Sequence, residues 1–243
     1  MYKTITFSVL FLTTTISYGQ AGQFFDAPFG GGIGYVPAWY IPNLTPVNNE
    51  MKNIGMPELS TGGFYSSGIA GFIYIGFVRN LRVGGMGFGG SLSSDQTVNG
   101  INQEVIYSLG GGSVTFEYTL PFIKNFGVSV GAAIGSGSLQ LDMYRNSGDF
   151  TWSGIWGELA DPNINSENYY RKLKNTFWMF TPTINVDYPL YRFVVLRIGL
   201  GYQLAFADDW KADNDQSVSG VPSDLNGNSF FIQSGIFVGF FSF

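Results

Sequence analysis

The stretch Arg192–Phe206 reads RFVVLRIGLGYQLAF, and its alternation decides the fold. Val194, Leu196, Ile198, Leu200, Tyr202, Leu204 and Phe206 fall on one face, and Val195, Arg197, Gly199, Gly201, Gln203 and Ala205 on the other. A period of two is the strand period. One face is bulky and apolar; the other is small or polar. The preceding stretch agrees: Trp178, Phe180, Pro182, Ile184, Val186 and Tyr188 oppose Phe177, Met179, Thr181, Thr183, Asn185 and Asp187. Soluble barrels keep apolar side chains inside. The face that carries Glu117, Asp187 and Arg197 could not fill such a core and would bury charge at a cost. With the bulky face toward lipid the pattern works, because a closed barrel pairs all its backbone groups internally.

Working outward, eight such stretches can be marked, roughly 30–41, 63–77, 81–95, 102–120, 126–144, 173–189, 192–209 and 228–243. In the first, Ile33, Tyr35, Pro37 and Trp39 oppose Gly32, Gly34, Val36 and Ala38. The third, with Gly84, Gly85, Gly87, Gly89 and Gly90, shows no dependable facing. Two others change parity partway. Val105, Tyr107 and Leu109 are out of step with Val114, Phe116, Tyr118 and Leu120, and the switch at Gly110–Gly112 suggests a β-bulge. Val128, Val130 and Ile134 likewise trade parity with Leu139 and Leu141 around Gly135–Gly137.

Short and long connections alternate. Strands two and three, four and five, and six and seven are joined by tight turns; the segments 42–62, 96–101, 145–172 and 210–227 are longer. The expected architecture is an all-β, up-and-down antiparallel transmembrane β-barrel. Its short turns lie at one end and its long loops at the other. Eight strands are marked, and ten stays open. The first long loop predicts a short helix, with Thr45 as cap, Pro46 in the first turn and Gly55 at its end.

Composition narrows the function. Histidine and cysteine are both absent from 243 residues, so histidine bases and thiolate chemistry are excluded, and no enzyme or cofactor is expected. The net charge of −5 argues against nucleic acid. Residues 1–19 read as a secretory signal peptide: Lys3, an apolar threonine-rich stretch over Ile5–Ile16, and Ser17-Tyr18-Gly19 before a cleavage between Gly19 and Gln20. Residues 20–243 then form the barrel domain.

The chain finishes Gly235-Ile236-Phe237-Val238-Gly239-Phe240-Phe241-Ser242-Phe243. With the signal peptide and the strand count, this ending resembles the small eight-stranded bacterial outer-membrane barrels of the OmpA or OmpX type. Phe243, Phe241 and Phe237 match the family's terminal strand, and Gly239 is a gap in it. The resemblance covers the whole mature chain and concerns architecture rather than activity. It implies an outer-membrane location and a lipid environment. It also implies recognition of the terminal strand by periplasmic chaperones and the barrel-assembly machinery. A monomer is the favoured state.

Glu117, Asp187, Arg197 and Arg82 share the inward parity and predict carboxylate–guanidinium pairing in the lumen. That network either plugs the lumen or forms a polar constriction. The last loop, Asp208–Asp215, is acidic, but it lacks the glycine and glutamate of a calcium loop. Trp152, Trp156, Tyr169 and Tyr170 crowd the third long loop. Three functions follow: a structural or surface-interaction barrel that presents ordered loops, a narrow pore or conduit for a small or apolar solute, and a secreted soluble β-protein that binds an apolar ligand.

Overall fold

The computed structural model describes residues 30–121, 123, 126–147, 150–160 and 168–241. In chain order these hold β1 (Gly30–Tyr35), β2 (Ala38–Pro42), α1 (Thr45–Asn53), β3 (Phe64–Tyr74), β4 (Leu81–Val98), β5 (Ile101–Thr119) and β6 (Gly127–Asn146). Then come α2 (Trp152–Ala160), β7 (Tyr169–Tyr191), β8 (Val194–Ala207), β9 (Lys211–Ala212), β10 (Gln216–Ser217) and β11 (Ser229–Phe241). The predicted signal peptide, its Gly19–Gln20 cleavage site and Phe243 lie outside the described residues.

β1 and β2 together make one wall strand, because both lie between β11 and β3. The break falls at Val36-Pro37, where proline has no N–H to give a ladder. The Val36 N–H still reaches the Gly68 carbonyl at 2.8 Å, and the Ser234 N–H reaches the Pro37 carbonyl at 2.9 Å. Counted this way, eight antiparallel strands close a ring through β3, β4, β5, β6, β7, β8 and β11. The segment marked as longer over 96–101 is a two-residue turn, Asn99-Gly100, between β4 and β5; short connections join β3 to β4, β5 to β6 and β7 to β8. The helices and the small β9–β10 hairpin sit at the opposite end.

The faces follow the alternation. Trp178 is 67% exposed while its neighbour Phe177 is 2% exposed, and Ile198 and Arg197 differ in the same way. The proposed bulges are absent. β4–β5 and β5–β6 keep one unbroken register through Gly110–Gly112, with Gly89 opposite Gly110 and Gly110 opposite Ser138. β6–β7 is equally continuous past Gly135–Gly137. Val105, Tyr107, Leu109, Leu139 and Leu141 therefore all point inward and are buried. What changes at the glycines is the chemistry of the two faces.

A length estimate explains the change. On β7 the outward apolar run from Trp178 to Tyr188 spans ten residue-to-residue steps. At a rise of ~3.3 Å and a tilt of ~40° this is about 25 Å, the height of the lipid band on a membrane barrel. Above Trp178 the outward residues of β7 are Thr176, Lys174 and Lys172, and those of β6 are Ser138 and Gln140. The wall thus has lipid-type faces below and water-type faces above. β4 also acquires a facing: Arg82, Met86 and Phe88 lie on the inner side, and Gly85, Gly87 and Gly89 on the outer one.

The main apolar core fills the upper lumen. Tyr40, Phe64, Tyr107, Leu109, Leu139, Phe177, Met179 and Phe231 line it. Leu44, Val47, Met51, Met56 and Leu59 close it from the first long loop. Tyr40 stacks on Phe88 at 5.1 Å and on Phe231 at 4.9 Å. The predicted helix is present as α1, but its cap differs from expectation. Leu44 holds the capping position without a side-chain bond, and the Asn43 side chain accepts the Thr45 N–H at 3.1 Å. Gly55 ends the helix at φ 77°, a left-handed conformation that favours glycine. Asn48 clamps the loop: its amide nitrogen donates to the Leu59 carbonyl at 3.0 Å, and its oxygen accepts the Leu59 N–H at 2.9 Å.

Two features were not expected from the sequence. α2 occupies the third long loop, and β9–β10 extends the sheet beside the upper part of β7. Trp210, in the last long loop, is buried in the upper core. Trp39 and Trp178 do lie outward near the upper border of the lipid band, and Tyr118, Tyr188 and Phe126 are exposed toward the short-turn end.

The continuous register gives a direct test. Leu109→Ala empties a packed core position and lowers unfolding free energy by about 2–5 kcal/mol. Ser108→Ala, one residue away on the outer face, stays within about 0.5 kcal/mol. Equilibrium urea unfolding of the detergent-folded barrel measures both.

Candidate functional site

Below the apolar core, the lumen is crossed by four charges. β4 supplies Arg82 and β5 supplies Glu117, which are direct cross-strand partners. β7 supplies Asp187 and β8 supplies Arg197, which are also direct cross-strand partners. Each guanidinium then reaches across to the other pair. Arg82 donates to Glu117 at 2.6 Å and to Asp187 at 2.6 Å. Arg197 donates from Nε and Nη2 to Asp187 at 2.7 and 2.9 Å, and from Nη1 and Nη2 to Glu117 at 3.0 and 3.1 Å. The result is a closed, neutral ring of two cations and two anions, and all four residues are buried.

Neighbouring groups complete it. The Ser129 hydroxyl accepts from Arg82 at 2.8 Å, Asn185 donates to Glu117 at 3.1 Å, and Gln233 donates to Asn185 at 2.7 Å. Aromatic faces cover the guanidinium carbons, with Phe72 4.7 Å from Arg82 and Phe237 4.7 Å from Arg197. Gly199 is required by close approach: a Cβ there would collide with the Asn185 carboxamide oxygen.

All four charged residues singled out in the sequence therefore meet in one network. Ser129, Asn185 and Gln233 were not singled out, although Asn185 was already on the inward face. Phe237, read as part of the terminal aromatic pattern, faces inward and is fully buried against Phe72 and Arg197. On β11 the outward residues are Ile236, Val238 and Phe240. Phe241 belongs to β11, and its side chain lies outside the described residues.

Between the charged ring and the apolar core lies a void of about 20 Å³, lined in part by Ala70, Phe72, Met86, Thr115 and Ala133. That is room for about one water molecule. The lumen is therefore filled at two levels: the charged ring packed among Val36, Phe72, Tyr74, Val195 and Phe237 below, and the main hydrocarbon core above.

The loop end carries the remaining chemistry. α2 presents Trp152, Ile155 and Trp156 outward, with the two indoles edge to face at 5.7 Å. Tyr144 and Tyr170 stack at 4.8 Å on the outer side of β6–β7, and the Tyr170 hydroxyl donates to Asp142 at 2.8 Å. In the acidic last loop, Asp213 accepts the Lys172 N–H at 2.9 Å and pairs with Arg171 at 2.8 Å. Among the described residues no group of three or more carboxylates is placed to hold a metal ion.

β4 and β5 form a hairpin that rises past the other strands. β3 pairs with β4 only between Arg82 and Gly90. Among the described residues no strand pairs with β4 from Ser93 to Val98 on the side away from β5. Among the described residues the hydrogen bond on that side is from the Ser94 hydroxyl to the Pro57 carbonyl, at 2.8 Å. Above the lipid band the closed ring thus opens into a sheet, β4-β5-β6-β7-β9-β10, with β4 as a free edge.

No protein-family model matches the sequence, and neither does any curated protein sequence. Solved structures of similar shape exist. Neisserial surface protein A matches with TM-score 0.44 at 12% identity over 87% of this chain and 97% of its own. The attachment invasion locus protein of Yersinia pestis matches with TM-score 0.41 at 10% identity over 87% and 99%. A major outer membrane protein from Thermus thermophilus matches with TM-score 0.45 at 11% identity over 86% and 99%.

Two outcomes are expected here. Arg197→Met leaves two buried carboxylates on one guanidinium and costs about 3–5 kcal/mol in urea unfolding. Replacing all four charges with apolar residues of similar volume recovers most of that loss. The second concerns the loop end. The Lys172 N–H and the Arg171 guanidinium hold the Asp213 carboxyl below the ordinary carboxylate range. A group with a lowered folded pKa stabilises above its unfolded value and loses that contribution as pH falls through the folded one. Protection of the Lys172 amide, its exchange measured against an unstructured amide at the same pH, therefore falls on acidification below the ordinary carboxylate range, and Asp213→Asn removes that fall.

With its backbone ring closed, its bulky residues turned outward over one lipid thickness and its charges paired inside, the chain has the fold of the small bacterial outer-membrane β-barrels.

Proposed function

We propose that this protein is an integral outer-membrane barrel with a surface-interaction role, holding an ordered sheet and loops outside the cell. The observation that carries this reading is the doubly filled lumen. A conduit needs a continuous path. Here the charged ring of Arg82, Glu117, Asp187 and Arg197 blocks the lower half, and the apolar core under α1 blocks the upper half.

The projecting sheet supports the same reading. A strand edge with unpaired N–H and C=O groups is a ready template for another strand, and adding a strand to such an edge is a common recognition mode. The β4 edge offers such a template from Ser93 to Val98. The absence of histidine and cysteine and the pairing of the lumen carboxylates support a non-catalytic role. Export by residues 1–19 and recognition of the terminal strand by the assembly machinery belong to this proposal.

The cysteine-free chain makes the test clean. Thr97→Cys, on the hairpin, reacts with a membrane-impermeant maleimide on intact cells. Arg79→Cys, in a short turn, reacts only after the outer membrane is opened. In planar bilayers the purified barrel shows no stepwise conductance. Discrete openings above background would overturn the surface role in favour of a conduit, and recovery of the protein in the soluble fraction would overturn the membrane assignment.

A further inference from the structure

The free edge of β4 carries an electrostatic conflict. Asp95 of β4 and Glu104 of β5 are direct cross-strand partners. Like charges directly opposite each other destabilise a strand pair. Among the described residues neither carboxylate has an ion-pair partner: β4 and β5 hold one cation between them, Arg82, far below in the lumen, and Arg145 of β6 lies opposite Gln103, one residue out of step with Glu104. The other contacts at this level are neutral. Gln96 donates to Gln103 at 2.7 Å, and the Thr97 hydroxyl donates to Asn102 at 2.7 Å. Glu58, in the loop whose Pro57 carbonyl meets Ser94, is exposed and acidic as well.

Shape agrees with charge. A polar depression of about 370 Å³ is lined by Asp95, Gln96, Thr97, Asn102, Gln103, Glu104 and Asn146. Ser93 and Thr97, two residues to either side of Asp95, share its face of the strand and are small. A strand added beside β4 would set every second side chain on that same face, about 4.5–5.5 Å between Cβ atoms from Ser93, Asp95 and Thr97. A lysine or arginine placed beside Asp95 would lie over small neighbours and reach toward Glu104.

We propose that the β4 edge takes an extended protein segment bearing lysine or arginine on alternate positions, its cations seated against Asp95 and Glu104. This rests on the reading of the edge as a docking strand and adds the chemistry of the partner. Backbone pairing along Ser93–Val98 supplies affinity, and the carboxylate pair supplies choice. An acidic strand meets repulsion at the same place.

The test uses the full barrel folded in a non-ionic detergent and three labelled probes: a short alternating Lys-Val peptide, its Glu-Val counterpart, and the Lys-Val peptide with N-methylated valines. Fluorescence anisotropy reads binding. The Lys-Val peptide is expected to bind and the other two to fail. The double variant Asp95→Asn/Glu104→Gln weakens Lys-Val binding by at least about fivefold, the worth of two partly exposed ion pairs. The same variant keeps or raises the urea midpoint, because a repulsion has been removed, so a loss of binding is not a loss of fold. Equal binding of Lys-Val and Glu-Val peptides overturns the charge inference and leaves the docking edge standing. Undiminished binding of the N-methylated peptide, or no binding by any probe, overturns the docking edge as well.

Discussion

The medium outside the wall changes along the barrel axis, while the two-residue period of the strands does not. Everything else follows from that constraint. A strand that passes from lipid into water without a bulge must exchange the chemistry of its faces at the border. β5 does so between Leu109, which points into an apolar core, and Val114, which points into lipid. β6 does so between Leu139 and Ile134. The glycines at the crossing, Gly110–Gly112 and Gly135, let the change occur without a bulky side chain on the wrong side.

The inside of the barrel answers the same constraint. Where the outside is lipid, the interior holds the buried charges, set among a few apolar side chains such as Phe72 and Phe237, and those charges must satisfy one another. The quartet does this with two cross-strand pairs, Arg82–Glu117 and Asp187–Arg197, bonded to each other across the lumen. Each pair fixes the register of adjacent strands, and the bonds between pairs tie opposite walls together. Where the outside is water, the interior becomes an ordinary hydrophobic core, and α1 with its Asn48 clamp serves as the lid that such a core needs.

Much of this was legible in the sequence, and the failures have physical causes. β7 and β8 were readable because bulky and small residues alternate along their full lipid-facing lengths. The quartet was readable because a buried charge must find its opposite. Ser129, Asn185 and Gln233 escaped notice because neutral groups carry no such demand. The parity switch was visible, but a sequence records side chains and not the medium they meet, so a change of surroundings looked like a bulge. β4 could not be faced because Gly85, Gly87 and Gly89 have no side chains to alternate. α2 was missed because WSGIWGELA carries two glycines and no charge until Glu158, so it reads as a loop.

The seam of the ring carries a kinetic consequence. The wall closes where β1 and β2 meet β11, with Gly30 opposite Phe241, so the pairing that completes the cylinder joins the two ends of the described chain. A contact of such sequence separation is slow to find, since the entropy of the whole intervening loop is lost before it forms. Every other wall pairing joins strands that are neighbours in the chain and can zip locally. Until that pairing forms, the edge of the first wall strand that β11 will cover has no partner, and an uncovered strand edge is a template for foreign strands.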